Sequence, residues 1–148
     1  MKLYTSYFAQ IRNFPNNLVA LSTVIYEPKW YKVGEVDKNG VISIRCTPLR
    51  PGINCSGLCN GSCEKRHPQD CAFLQEYRKQ LDTINFNDFM NHLLDLRERL
   101  RIDFPDREDF DFAFIFFEKY DNLCSERWPV QEWIRSHGLK IEEWHPNI

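Results

Sequence analysis

Phe112-Ala113-Phe114-Ile115-Phe116-Phe117 is an unbroken apolar run of strand length. A strand with one face in water alternates polar and apolar residues, whereas a strand covered on both faces does not. The run therefore predicts an interior strand of a sheet packed on both sides. Downstream, Val130, Trp133, Ile134 and His137 recur at helical spacing, with Pro129 in the first turn and Gly138 as the stop. Leu139-Lys140-Ile141-Glu142-Glu143-Trp144 then alternates and fits a last strand. A strand–helix–strand unit of this kind places its two strands parallel in one sheet.

Upstream, Leu3-Tyr4-Thr5-Ser6-Tyr7-Phe8 is rich in β-formers and predicts a first strand. Leu18 to Val24 follows the turn cluster Pro15-Asn16-Asn17 and predicts a second, parallel to 112–117. Lys38-Asn39-Gly40 suits a tight turn, so Val33 to Ile44 predicts a small hairpin. Phe73, Leu74, Tyr77 and Leu81 have helical spacing, as do Phe86, Phe89, Met90, Leu93, Leu94 and Leu100, with Asn85 or Asn87 as the cap between the two helices. The order of elements predicts a single three-layer α/β domain over residues 1–148 with a mainly parallel sheet. Residues 45–71 interrupt it as an irregular cysteine-rich loop.

The chain of 148 residues is 43% hydrophobic and 14% aromatic, enough to build a packed core. Its net charge of -2 argues against a general coater of duplex DNA. No apolar run approaches the ~18 residues of a membrane helix. Met1 to Ser6 lacks the apolar core of a secretory signal, so a cytoplasmic location is the expectation.

The richest chemistry lies in Glu118-Lys119-Tyr120-Asp121-Asn122-Leu123-Cys124-Ser125-Glu126-Arg127, between the apolar strand and a helix start. Ligands of open α/β sheets bind at that edge, and a helix N-terminus favours an anion. Cys124 there suits a low-pKa nucleophile, with Glu118 as the second reactive group. Arg127 opposes the dipole preference, which makes sense if it holds a phosphate or a carboxylate, with Ser125 beside it. Tyr4, Thr5 and Ser6, at a neighbouring strand end, are further ligand-binding candidates. The plainer alternative is a small, buried Cys124, a capping Ser125 and a Glu126 that complements the dipole. Together these residues point to a protein that binds, and acts on, a nucleotide or nucleic-acid fragment. The alternative is a non-enzymatic phage or mobile-element interaction module.

The same stretch, from Phe116-Phe117-Glu118 through Cys124 to Arg127, with its helix, Gly138 and last strand, resembles domain-of-unknown-function family 488. Members of that family carry an apolar strand ending in glutamate and a Cys-His-Arg triplet opening a helix. Leu3-Tyr4-Thr5-Ser6-Tyr7 is similar to the family's Tyr-Thr strand. Leu21-Ser22 and Pro28-Lys29-Trp30-Tyr31 resemble the second strand and Pro-Lys-Trp stretch of its phage and Firmicute-like members. Ser125 stands where the family has histidine, and Arg127 comes one residue later than the family arginine. The resemblance covers most of the chain outside residues 33–70; it implies a Rossmann-like fold and no settled reaction.

Cys55, Cys59, Cys63 and Cys71 share a segment without periodicity that also holds His67. Four thiolates satisfy tetrahedral zinc, and Gly57 and Gly61 let the backbone wrap an ion. A four-cysteine iron–sulfur cluster is the rival occupant, and free thiols or disulfides are the alternative without metal. Arg45, Arg50, Lys65 and Arg66, with Trp30 and Tyr31 as stacking platforms, suit single-stranded nucleic acid; solvated charges beside packed aromatics are the plainer reading. His92 and His137 read as ordinary helix-surface residues. If the cysteines bind metal, reduced protein prepared without chelator should carry about one equivalent of zinc, or absorb visible light if iron–sulfur. Cys59→Ser should release it. Elemental analysis below about a tenth of an equivalent would exclude the site.

Overall fold

The computed structural model describes residues 1–52 and 70–146. Cys55, Cys59, Cys63, Lys65, Arg66 and His67 lie outside the described residues. Strands β1 (Leu3–Tyr7), β2 (Leu18–Ser22), β3 (Ser43–Arg45), β4 (Asp111–Phe116) and β5 (Glu142–Glu143) form one sheet. Their order is β3-β2-β4-β1-β5, and every neighbouring pair is parallel. Phe112 to Phe116 of the apolar run thus form an interior strand between β1 and β2, as their composition predicts, while Phe117 lies past the strand end and is exposed.

Both faces of β4 are covered, but by different material. Phe112, Phe114 and Phe116 face helices α1 (Ala72–Asp82), α2 (Phe86–Asp103) and α3 (Arg127–Ser136), in a core with Val19, Leu21, Tyr77, Phe89 and Trp133. Ala113 and Ile115 face the other way, with Leu18, Ala20, Phe8, Ile11, Phe14, Tyr31 and Val41. That second layer is a 3₁₀ helix, Phe8–Asn13, together with irregular chain. The β1–β2 connection spans only residues 8–17, and a helical crossover needs about a dozen or more. Alanines at 20 and 113 let this thin layer approach the sheet.

Several elements are shorter than the sequence suggests: β1 ends at Tyr7, with Phe8 opening the 3₁₀ helix, and β2 ends at Ser22, before Val24. The Lys38-Asn39-Gly40 turn forms, with Gly40 at φ +82° and the Asp37 carboxylate accepting from the N–H groups of Asn39 and Val41 at 2.8 and 3.0 Å. Its arms meet at a single antiparallel bridge, Val36↔Ile42, because the outgoing arm leaves to pair with β2 as β3. The last strand shortens to Glu142–Glu143. Asn85 caps α2, accepting from the Asp88 N–H at 3.1 Å, and Gly138 adopts φ +81° just past α3. Among the described residues, no helix is long and apolar enough to cross a membrane.

Candidate active site

The C-terminal edge of the sheet gathers the polar residues that α3 and its preceding loop bring to it. Arg127 opens α3 three and seven residues before Val130 and Ile134, on the helix's core-facing side. It is 0% exposed. Its guanidinium has five N–H groups, and each meets a protein acceptor. Nε donates to Glu143 Oε1 at 2.9 Å, and one Nη2 bond reaches Glu143 Oε2 at 3.5 Å. Nη1 donates to the Lys119 carbonyl at 2.7 Å and to Ser125 Oγ at 3.3 Å, and Nη2 also reaches the Ser6 carbonyl at 3.3 Å. The anion that Arg127 holds is therefore internal, the Glu143 carboxylate, and no donor remains for the external phosphate envisaged from the sequence. Its place at the start of α3 follows from burial on the core-facing side.

Glu143 is tied in from its other side. Thr5 Oγ1 donates to Glu143 Oε1 at 2.8 Å, and Gln131 Nε2 donates to Thr5 Oγ1 at 2.7 Å. Burial lifts the Glu143 carboxyl above its ordinary range, and Arg127 and Thr5 pull it back.

Glu118 and Glu126 lie together beside this cluster, close enough for each to feel the other's charge. Burial raises both carboxyls, and the Glu118 charge pushes Glu126 further, to about 8. Arg127 favours the ionised forms but is already matched by Glu143, and Ser125 adds a smaller pull in the same direction on Glu118. Two partly buried carboxyls that feel each other's charge disfavour double ionisation, which biases the pair toward keeping a proton.

The remaining candidates are dispersed. Ser125 is buried and accepts from the Arg127 backbone N–H at 3.2 Å, so it supports the start of α3. The Ser6 carbonyl reaches Arg127, while its buried hydroxyl has no partner among the described residues. Tyr4 sits further back on β1, opposite Ala113 and Glu142 in register, in a recess with Phe14 and Trp144. Cys124 precedes the cap of α3, is half-buried and packs against Cys71 and Leu74 at the start of α1, with its N–H bonded to Asn122 Oδ1 at 2.8 Å. Cys71 is buried. Among the described residues, no group of three or more His, Cys, Asp or Glu side chains is arranged to hold a metal.

The described part of the expected basic flank, Arg45 and Arg50, is engaged elsewhere. Arg45 is bonded to Glu27 at 2.6 and 3.1 Å, and Arg50 donates to the Ile25 carbonyl at 2.8 Å. Tyr31 is buried, its hydroxyl 3.0 Å from the Ala20 carbonyl and 2.5 Å from that of Ile44, so it is no stacking platform. Comparison with protein-family models, curated proteins and solved structures found no match for the chain.

Glu126, Glu143 and Gln131 did not stand out as site residues in the sequence. Gln131 carried a signal: it lies four residues after Arg127 on a face otherwise apolar at Val130 and Ile134. Glu143 carried none, because its partner lies 16 positions away.

Arg127→Ala should cost about 3–5 kcal/mol, since it strands a half-buried carboxylate and two carbonyls, and Arg127→Lys should recover only part. Urea denaturation reads both, and a loss under about 1 kcal/mol would mean that the pair is dispensable. Glu126 also makes stability depend on pH. A carboxyl raised by folding stabilises the fold while protonated, fully below its ordinary value of 4.5 and no longer above about 8. Glu126→Gln should therefore flatten the fall in thermal midpoint between those pH values. Parallel profiles for variant and wild type would show that the pair does not hold a proton.

Proposed function

We propose that the protein binds a nucleotide or nucleic-acid fragment at the C-terminal edge of its sheet and acts on it by proton transfer from the Glu118–Glu126 pair. The observation that carries this reading is the placing of two partly buried carboxyls, Glu118 and Glu126, side by side, where burial favours the protonated forms: such a pair can both donate and accept a proton. The edge position supports it, because open α/β sheets bind ligands there. So do the flanking residues of the rim. Phe117 and Tyr120, 55% and 47% exposed, bracket Glu118 and offer faces for a heterocycle, and the exposed Lys119 between them offers a counter-charge for phosphate.

Three carboxyls against one internally matched arginine repel phosphate from the reacting centre, so the group placed at the pair is the uncharged base–sugar portion. The reaction that fits is hydrolysis of a glycosidic bond. Carboxyls side by side lie too close to flank the bond from opposite sides, which takes about 6.5–9.5 Å, so the pair acts as one unit from one side. Glu126 gives its proton to the departing base as water attacks, and the proton that the water sheds returns to Glu118. The pair then again holds one proton, ready for the next cycle. Cys124, packed against Cys71 and Leu74, is not needed for this chemistry.

The test is a panel of nucleosides, mononucleotides and short single strands, with base release followed by chromatography from acid to alkaline pH. Release should fall as pH rises through about 8, and Glu126→Gln and Glu118→Gln should each lower it by about 10²–10⁴-fold. No release anywhere in the panel would leave the pair structural and favour the interaction module. The exposed side chains of Tyr26, Trp30 and Phe117 are the observation behind that second reading.

A further inference from the structure

The face of the sheet opposite the α-helices carries a groove of about 590 Å³, within the roughly 300–1,000 Å³ of small-molecule clefts. Buried Phe8 and Ile11 form its floor. Ala9 and Arg12 of the 3₁₀ helix, the turn Asp37-Lys38-Asn39 and Trp30 form its sides. Trp30 is 57% exposed, yet its position is set from below. Its ring stands edge-on to Phe8 at a centroid separation of 6.1 Å, and the next residue, Tyr31, is buried with its hydroxyl against two backbone carbonyls. A rigidly mounted indole left in water presents a large apolar face at little ordering cost to a partner.

The charge around it differs from that of the chain as a whole. Arg12 and Lys38 line the groove, and Lys29 and Lys32 flank Trp30, against the two carboxylates of Glu35 and Asp37. Four cations and two anions leave a local +2 on a protein of net charge -2. Asp37 is occupied by the N–H groups of Asn39 and Val41, and none of the four cations is in an ion pair among the described residues.

From this we infer that the groove binds a single-stranded nucleic-acid segment, a base stacking on Trp30 and the backbone phosphates meeting Arg12 and Lys38. An exposed aromatic face among unpaired cations is what a flexible polyanion with exposed bases requires, and a duplex keeps its base faces covered. The inference goes beyond the acid–base site. That site is built on α3, and the groove would bind a strand whether or not the carboxyl pair is catalytic.

The experiment titrates the full chain with a labelled short oligothymidylate, followed by anisotropy and by quenching of tryptophan emission. Thymidine monophosphate and a short duplex serve as further arms. The strand should bind with an affinity that falls with salt, should quench emission, and should outbind both the mononucleotide and the duplex. Trp30→Ala should weaken binding at least about five-fold while Trp30→Phe keeps most of it, because an aromatic face suffices. Joint replacement of Arg12 and Lys38 by alanine should make the salt dependence shallower by about two phosphate contacts. Trp30 is at the surface, so its variants should fold, and circular dichroism checks that. Equal affinity of wild type and Trp30→Ala, or a duplex held as tightly as the strand, would overturn the assignment. Glu118→Gln runs alongside: if it loses the strand and Trp30→Ala does not, the ligand sits at the carboxyl pair and the groove assignment falls while the proposed function stands.

Discussion

The guanidinium of Arg127 is a cation held inside the protein, and such a charge is tolerated only where every donor finds an acceptor. Its five bonds end on β1 through Ser6, on β5 through Glu143, on the loop after β4 through Lys119, and on the start of α3 through Ser125. One side chain therefore joins the elements that meet at the C-terminal edge. The edge strand shows why that matters. β5 is paired to β1 over only two residues, Glu142 and Glu143. A ladder that short has little hold of its own, and the contacts from Arg127 and Thr5 to Glu143, with that from Arg135 to the Ile141 carbonyl at 2.7 Å, supply the rest.

The same arrangement sets the ionisation of the neighbouring carboxyls. A buried cation usually lets an adjacent acid ionise. Here Glu143 already matches the charge, so Glu118 and Glu126 face each other in a partly desolvated place with little left to offset a second negative charge. A structural requirement, satisfying Arg127, thereby leaves two carboxyls that burial biases toward protonation at the C-terminal edge of the sheet. The two faces of the sheet divide the remaining tasks. The helical face supplies the deep core of Phe112, Phe114, Phe116 and Trp133, and the thin face keeps an aromatic groove near the surface.

The parallel α/β architecture was legible in the chain because hydrophobic burial is written locally. The apolar run pointed to an interior strand, which takes its residues up to Phe116, and the helical spacing of Val130, Trp133 and Ile134 named the helix that follows it. The cap at Asn85 and the turns at Gly40 and Gly138 were legible for a similar reason, since each depends on backbone geometry within a few residues. The second covering layer was not. It depends on how few residues separate β1 from β2, and on Ala20 and Ala113 lying side by side once the strands pair.

The candidate site divides in the same way. The sequence by itself determined where polar chemistry gathers: on the loop after the apolar strand, with Glu118 and Arg127 at its ends. Only the tertiary structure decided what those residues do. Ser6 and Arg127 are 121 positions apart and Arg127 and Glu143 are 16 apart, so the partner of the arginine is chosen by strand order. The phosphate suggested by an arginine at a helix start became a carboxylate once β5 docked beside β1. Likewise Trp30 and Tyr31, adjacent in the chain, took opposite fates, one exposed over a groove and one buried with its hydroxyl satisfied. Composition records which groups need a partner, and long-range packing alone decides which partner arrives.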